Sequence, residues 1–176
     1  MCGVKKTDAA ESLCLACGLC CNGVLFKDVE LRRGDDAKKL ERLGISIQPK
    51  GTKQCFPQPC ACFDGKSCTI YRDRPNRCRK FECHLFIRVR RTEMRPEIAL
   101  RMVRRAQREA ENVRVMLVEL GQTDESLSMT ERYADLMAQP IDLSAGEERT
   151  ERRAELMMAV QQLMHLLQTE FLAESK

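Results

Sequence analysis

The most regular alternation of apolar and polar positions lies in the rear of the chain. Between Pro96 and Gly121, residues Ile98, Met102, Val103, Ala106, Ala110, Val113, Leu117 and Leu120 keep to one face, while Arg101, Arg104, Arg105 and Arg108 fall elsewhere. Spacings of three and four predict an amphipathic helix of about seven turns. Proline is favoured at a first helical position and glycine just past a last one, so the run is bounded at both ends. Ser128-x-x-Glu131 and Ser144-x-x-Glu147 have the spacing at which serine and glutamate satisfy each other's free N–H groups, and each predicts a helix start. Pro140 separates the two helices. The last helix carries Met157, Val160, Met164, Leu167 and Phe171 at spacings of three and four, a face expected to pack on the helix starting at Pro96. A homodimer contact or another protein partner through these C-terminal helices is the alternative use.

The front is patterned by turn formers instead. Gly18, Asn22-Gly23, Pro49-Lys50-Gly51, Pro57, Pro59, Asp64-Gly65 and Pro75-Asn76 recur along it. GVLFKDVEL, residues 23–31, alternates enough for a short strand. DDAKKLERLG, residues 35–44, reads as a short helix with Asp35 or Asp36 as its cap and Gly44 just past its end. The expected fold is therefore mainly α: an irregular cysteine-cluster domain with little strand over residues 1–91, then an antiparallel helical extension over residues 92–176. Such a front buries little apolar surface alone, so cross-links must supply what its core does not.

Composition sharpens this picture. At 43% hydrophobic and 32% charged, the 176 residues read as globular and helix-leaning. No stretch approaches the roughly 18 apolar residues of a membrane span. MCGVKKTDAAESL lacks the apolar run of a secretory leader, so a cytoplasmic location is expected, with Cys2 a free exposed thiol. In that compartment clustered cysteines more often hold metal than form disulfides, and the odd count of 11 agrees. Residues 1–91 carry 19 Lys+Arg against 10 Asp+Glu, whereas residues 92–176 carry 11 against 16. Thiolates on metal are anionic, so about half of the basic excess is expected to be counter-charge for them. Without an aromatic-rich strand or a reading helix, nucleic acid is not an expected partner.

Every cysteine lies before residue 84. In CLACGLCC, residues 14–21, each two-residue gap between Cys14, Cys17 and Cys20 lets both sulfurs reach one tetrahedral ion. Cys21 points differently from its neighbour and suits a second metal or a bridge. A second group follows some forty residues later, CACFDGKSCTIYRDRPNRCRKFEC, residues 60–83. Four cysteines from each group suffice for two sites or one larger cluster.

These two stretches resemble the pattern CxxCxxCC … C … CxIYxxRPxxCRxFxC of the Putative zinc- or iron-chelating domain, also called the YkgJ-type cysteine-cluster family, which is similar to the cysteine-rich part of flagellin lysine N-methylases. The resemblance covers roughly residues 14–86 and implies the metal ligands Cys14, Cys17, Cys20, Cys21, Cys62, Cys68, Cys78 and Cys83. Ile70, Tyr71, Arg74, Pro75, Arg79 and Phe81 occupy its other motif positions. Cys55 and Cys60 are additional to the pattern and able to replace one of the eight. The chain is too short for the rest of a methylase and has no glycine-rich strand-to-helix signature, so methyl transfer is not carried over.

Arg74 and Arg79 are expected to donate hydrogen bonds to sulfur around the cofactor, and Pro75 to stiffen the turn presenting Cys78. Tyr71 and Phe81 are expected to wall the site. His84 follows Cys83 but is redundant beside eight sulfurs, and His165 is remote from every cysteine. Neither HExxH, a Ser-His-Asp set nor a phosphate loop is present, so an enzyme with an open metal position ranks behind two other readings. One is iron or an iron-sulfur cluster in a redox, sensing or metal-handling role, favoured because CxxCxxC resembles the start of a cluster-binding run. The other is structural zinc stapling the front while the helical half binds a protein.

Overall fold

The computed structural model describes residues 9–140 and 147–172. It is mainly α, as expected. The elements run α1 (Ala9–Cys17), β1 (Asp28–Glu30), α2 (Ala37–Arg42), β2 (Gln48–Lys50), β3 (Lys53–Pro57), α3 (Asn76–Lys80), α4 (His84–Arg90), α5 (Pro96–Glu119), α6 (Met129–Ala138) and α7 (Glu147–Glu170).

The long rear helix forms where its periodicity places it. Pro96 starts α5, and Ala99, Val103, Ala106, Ala110, Val113, Met116 and Leu117 are its buried residues. Ile98 and Met102 sit on the shoulder, half-buried. The helix ends in a Schellman turn: Gly121 takes φ 93°, its N–H reaches Val118 O at 2.9 Å, and Gln122 N–H reaches Leu117 O at 2.8 Å. Helix α7 returns antiparallel along α5, with Arg152 Nε on Glu119 at 3.0 Å near one end and Arg88 on Glu170 at 3.4 Å near the other.

The apolar stripe of α7 keeps the expected Val160, Leu167 and Phe171 but not the two methionines. Leu156, Leu163, Leu167 and Phe171 are buried, whereas Met157 and Met164 are 52% and 41% exposed. Leucine and methionine stand side by side at 156–157 and 163–164, so two stripes one position apart share the helical period. The leucines take the inner one. The capping box that opens α6 is formed, with Glu131 N–H on Ser128 Oγ at 3.3 Å and Ser128 N–H on Glu131 Oε2 at 3.1 Å. Cys2 and the Ser144 cap lie outside the described residues.

In the front, α2 follows its sequence signals: Asp36 Oδ1 accepts from Lys39 N–H at 2.9 Å, and Gly44 follows the helix at φ 96°. The strand expected over residues 23–31 shortens to β1, because Leu25 N–H turns back to Leu19 O and Val24 N–H to the Asn22 side chain. Strands β1 and β2 flank β3, both antiparallel to it, with Val29 opposite Phe56 and Pro49 opposite Gln54.

Two apolar cores result. The larger joins α5, α6 and α7 to Ala10, Leu13, Leu19, Val24, Leu85 and Val89, so it draws on both sides of residue 92. The smaller holds Val29, Leu40, Ile45, Phe56 and Cys62 between the sheet and α2. The cysteine-bearing segments run between these two cores.

Candidate metal centre

Helix α1 was not foreseen from the sequence, and it sets up the first cysteine group. Cys14 and Cys17 stand three residues apart on its last turn, hence on one face. Gly18 then reverses the chain at φ 66°, where a Cβ would lie only 2.6 Å from Phe63 Cζ. Its carbonyl accepts from Cys21 N–H at 2.8 Å and Asn22 N–H at 3.1 Å, closing the turn that carries Cys20 and Cys21. From α5, Gln107 Nε2 donates to Ala16 O and Cys17 O at 3.2 and 2.9 Å, and Arg114 Nη2 donates to Asn22 O at 3.2 Å. The outward carbonyls of the turn are thereby tied to the long helix.

The second group is brought to the first by backbone bonds. Cys60 N–H donates to Cys21 O at 2.8 Å. Phe63 pairs with Cys68 across the loop that Asp64 closes by accepting from Lys66 and Ser67 N–H. Arg74 is extended before Pro75, as a residue preceding proline should be, and the single turn of α3 then presents Cys78. Cys83 caps α4, its Sγ accepting from Phe86 N–H at 3.4 Å.

These segments enclose a cavity of about 220 Å³ whose wall includes Cys14, Cys17, Cys20, Cys21, Cys60, Cys68, Cys78 and Cys83. Seven of the eight implied ligands therefore face one space. Cys62 does not: its thiol donates to Leu43 O at 3.2 Å, and it is buried in the smaller core. The Cys62 N–H is directed at the Cys60 sulfur and the two thiols are in contact, with Cys62 on the side nearer the end of α2. Cys60 takes its place in the wall. Cys55 is buried in β3 between Glu30 and Gln48, outside the wall. All ten described cysteines are free thiols.

Backbone N–H groups two residues further on aim at four of the sulfurs, Leu19 at Cys17, Cys62 at Cys60, Ile70 at Cys68 and Leu85 at Cys83. Such donors stabilise a thiolate once it forms. Burial works the other way. It pushes Cys17, Cys21 and Cys78 up to about 12 and Cys60 to about 11, and it raises Cys14, Cys20, Cys68 and Cys83 as well. Among the described residues no three Cys, His, Asp or Glu side chains stand in ligating geometry, so the eight sulfurs share one wall without yet closing on a point.

The donor set nevertheless fits a thiophilic metal. The carboxylates on the wall, Asp28 and Glu30, are already paired with Lys50 and with Arg32 and Lys53, so the donors left over are sulfur, which selects zinc, copper(I) or iron-sulfur over hard cations. The rest of the wall is largely apolar, with Phe26 edge-on to Phe81 at 5.0 Å and Tyr71 and Phe63 beside them, a poor setting for water. Gln58 also lines the cavity, 1% exposed, with its Oε1 unpartnered.

Arg74 lies on the wall with its guanidinium 3.5 Å over the Tyr71 ring and its Nε on Tyr71 O, against Cys14, Cys68 and Cys78. Arg79 instead reaches backbone oxygens, Arg74 O at 2.5 Å and Arg72 O at 2.8 Å, and so braces the segment that carries Arg74. His84 stands off the cavity, its N–H on Phe171 O and its Nδ1 buried without a partner. His165 is exposed on α7. Sequence reasoning missed Gln58, Gln107 and Arg114, whose positions carry no motif.

A wall of eight thiols built on two cysteine-rich stretches defines a thiolate metal-chelating domain. Residues 13–112 match the family described as CxxCxxCC: Putative zinc- or iron-chelating domain, and the chain belongs to that family. The match runs through Gln107, into the helix that braces the first cysteine turn. Comparison with curated proteins and with solved structures returned no match. No helix among the described residues is long and apolar enough to cross a membrane.

Proposed function

We propose that this is a cytosolic metal-binding protein that holds iron, as an iron-sulfur cluster or as ions, through its clustered thiolates, in a redox, sensing or metal-handling role. The observation that carries the reading is the convergence of eight cysteines on one largely apolar cavity. Thiolate-only ligation is the habit of iron-sulfur centres, and the run Cys14-x-x-Cys17-x-x-Cys20 supports iron over zinc. Arg74 and the inward N–H groups would donate to ligated sulfur, the interactions by which a protein tunes such a centre's potential. Anaerobic purification followed by iron and acid-labile sulfide analysis tests the proposal. Brown protein that contains both and bleaches on reduction supports it. Colourless protein carrying only zinc overturns the iron form, and folded metal-free protein that takes up neither metal overturns metal binding altogether.

A structural zinc module with a protein-binding helical half is the second reading. It is favoured by Met157, Met158 and Met164, which are exposed on α7. Methionines are adaptable contact residues suited to a protein partner or a second copy of the chain.

A further inference from the structure

Building on the metal-binding reading above, we infer that the thiols form two separate four-sulfur sites. Cys14, Cys17, Cys20 and Cys83 make one; Cys21, Cys60, Cys68 and Cys78 make the other; Cys62 serves neither.

The two apolar cores divide the sulfurs. Cys17 and Cys83 pack against the larger core, Cys60 and Cys78 against the smaller. Helix α1 lies along α4, which brings the Cys14–Cys17 face to the cap residue Cys83. Cys20 is near Cys17 and Cys83 ahead of its chain neighbour Cys21 and Cys14, and Cys14, Cys17 and Cys83 are near one another. On the other side, the Cys60 N–H bond to Cys21 O and the Phe63–Cys68 pairing gather the second set. Cys21 is near Cys68, Cys78 and Cys60 ahead of Cys14, and Cys78 is near Cys60 and Cys68.

The seam between the sets is the Cys20–Cys21 peptide. Neighbouring side chains diverge, so adjacent cysteines feed different ions more readily than the same one. Each set supplies the four thiolates that complete a tetrahedral zinc or iron site, or anchor one iron-sulfur cluster. For a divalent ion the exchange balances simply: the ion enters, four S–H bonds break, four metal–sulfur bonds form, and four protons leave to solvent. Arg74, against Cys14 of one set and Cys68 and Cys78 of the other, is a cation shared by both anionic products. Cys62 lies beside Cys60 and Cys68, but its thiol is turned to Leu43 O in the smaller core and it is not on the cavity wall.

The test is a titration of the full-length, metal-stripped, reduced protein with Co²⁺ under anaerobic conditions, read by thiolate-to-cobalt charge transfer and tetrahedral d–d absorption. Two Co²⁺ per chain are expected. C17S/C83S should lose one equivalent and keep the other, C60S/C78S should do the same for its own site, and C62S should keep both. Loss of both equivalents in either double variant, or loss of one in C62S, overturns the division. For variants that do not fold, cobalt K-edge absorption on the wild-type protein decides. Four sulfurs per cobalt without cobalt–cobalt scattering supports separate sites, and a cobalt–cobalt vector indicates one bridged cluster and overturns them. Failure of the wild-type protein to take up either Co²⁺ or Zn²⁺ would sink the metal-binding reading itself, a different outcome from two ions held by other sulfurs.

Discussion

Replacing Gly18 by alanine tests the geometry of the cysteine turn most sharply. The residue sits at φ 66°, and the added Cβ would meet Phe63 Cζ at 2.6 Å and Cε2 at 2.9 Å. Left-handed backbone costs an L-residue about 1–2 kcal/mol. Carbon atoms attract best near 3.5–4.0 Å, so the ring must retreat by roughly 1 Å, and such overpacking costs about 1–3 kcal/mol. The expected loss is therefore about 2–5 kcal/mol, a large share of the roughly 5–15 kcal/mol typical of a folded domain. Gly51 is the control, because it has φ 61° and nothing within 4 Å of its would-be Cβ. Gly51→Ala should show the backbone cost alone. Urea unfolding of both variants, in the same metal state and extrapolated to water, measures the difference. Gly18→Ala should lose about 1–3 kcal/mol more than Gly51→Ala, and Phe63→Leu should return part of that excess. Equal losses would refute the ring contact and with it the close seating of the Cys17–Cys20 turn on the second cysteine segment.

Four further outcomes are expected. Leu163→Ala should destabilise by about 2–5 kcal/mol, whereas Met164→Ala, at an exposed position, should stay within about 0.5 kcal/mol, a contrast read by thermal or urea unfolding. Ser128→Ala removes the cap of α6 and should cost about 1 kcal/mol in the same assay. Two backbone N–H donors hold the Asp64 carboxyl below the usual carboxylate range, so its stabilising effect is present above the unfolded pKa of about 3.9 and is lost as pH falls through the lower folded value. Asp64→Asn should accordingly differ in stability from wild type at neutral pH, and the difference should shrink in acid. Chelation under reducing conditions should lower the melting temperature and readdition of the metal should restore it, since ligand binding to the folded state alone stabilises it.

What the sequence disclosed were features with local causes. Pro96, Gly121, Asp36 and the Ser128–Glu131 pair act within a turn of their own position, so α5, α2 and α6 begin and end where those residues direct. Helix α1 escaped notice because its motif reads as a knuckle; its burial comes from Ala10 and Leu13 packing into a core that α5 dominates. In α7 the inward Leu167 and Phe171 were legible from the period, but at 156–157 and 163–164 leucine and methionine stand as neighbours and only a partner surface decides between them. At the site, cysteine spacing brought together seven of the eight wall residues. The exchange of Cys62 for Cys60 depends on where one amide points and on a carbonyl at Leu43, nineteen residues away, which spacing does not encode.

The grip of α5 on the carbonyls of Ala16, Cys17 and Asn22 reaches further than bracing. Ala16 and Cys17 close α1, and the carbonyls of a helix's last turn lack helical partners and carry the negative end of its dipole. Four thiolates around a dication amount to a dianion with almost no water to screen it. By donating to those oxygens, Gln107 and Arg114 offset negative potential beside the cysteines, and a helix without a single cysteine becomes part of the electrical environment of the centre.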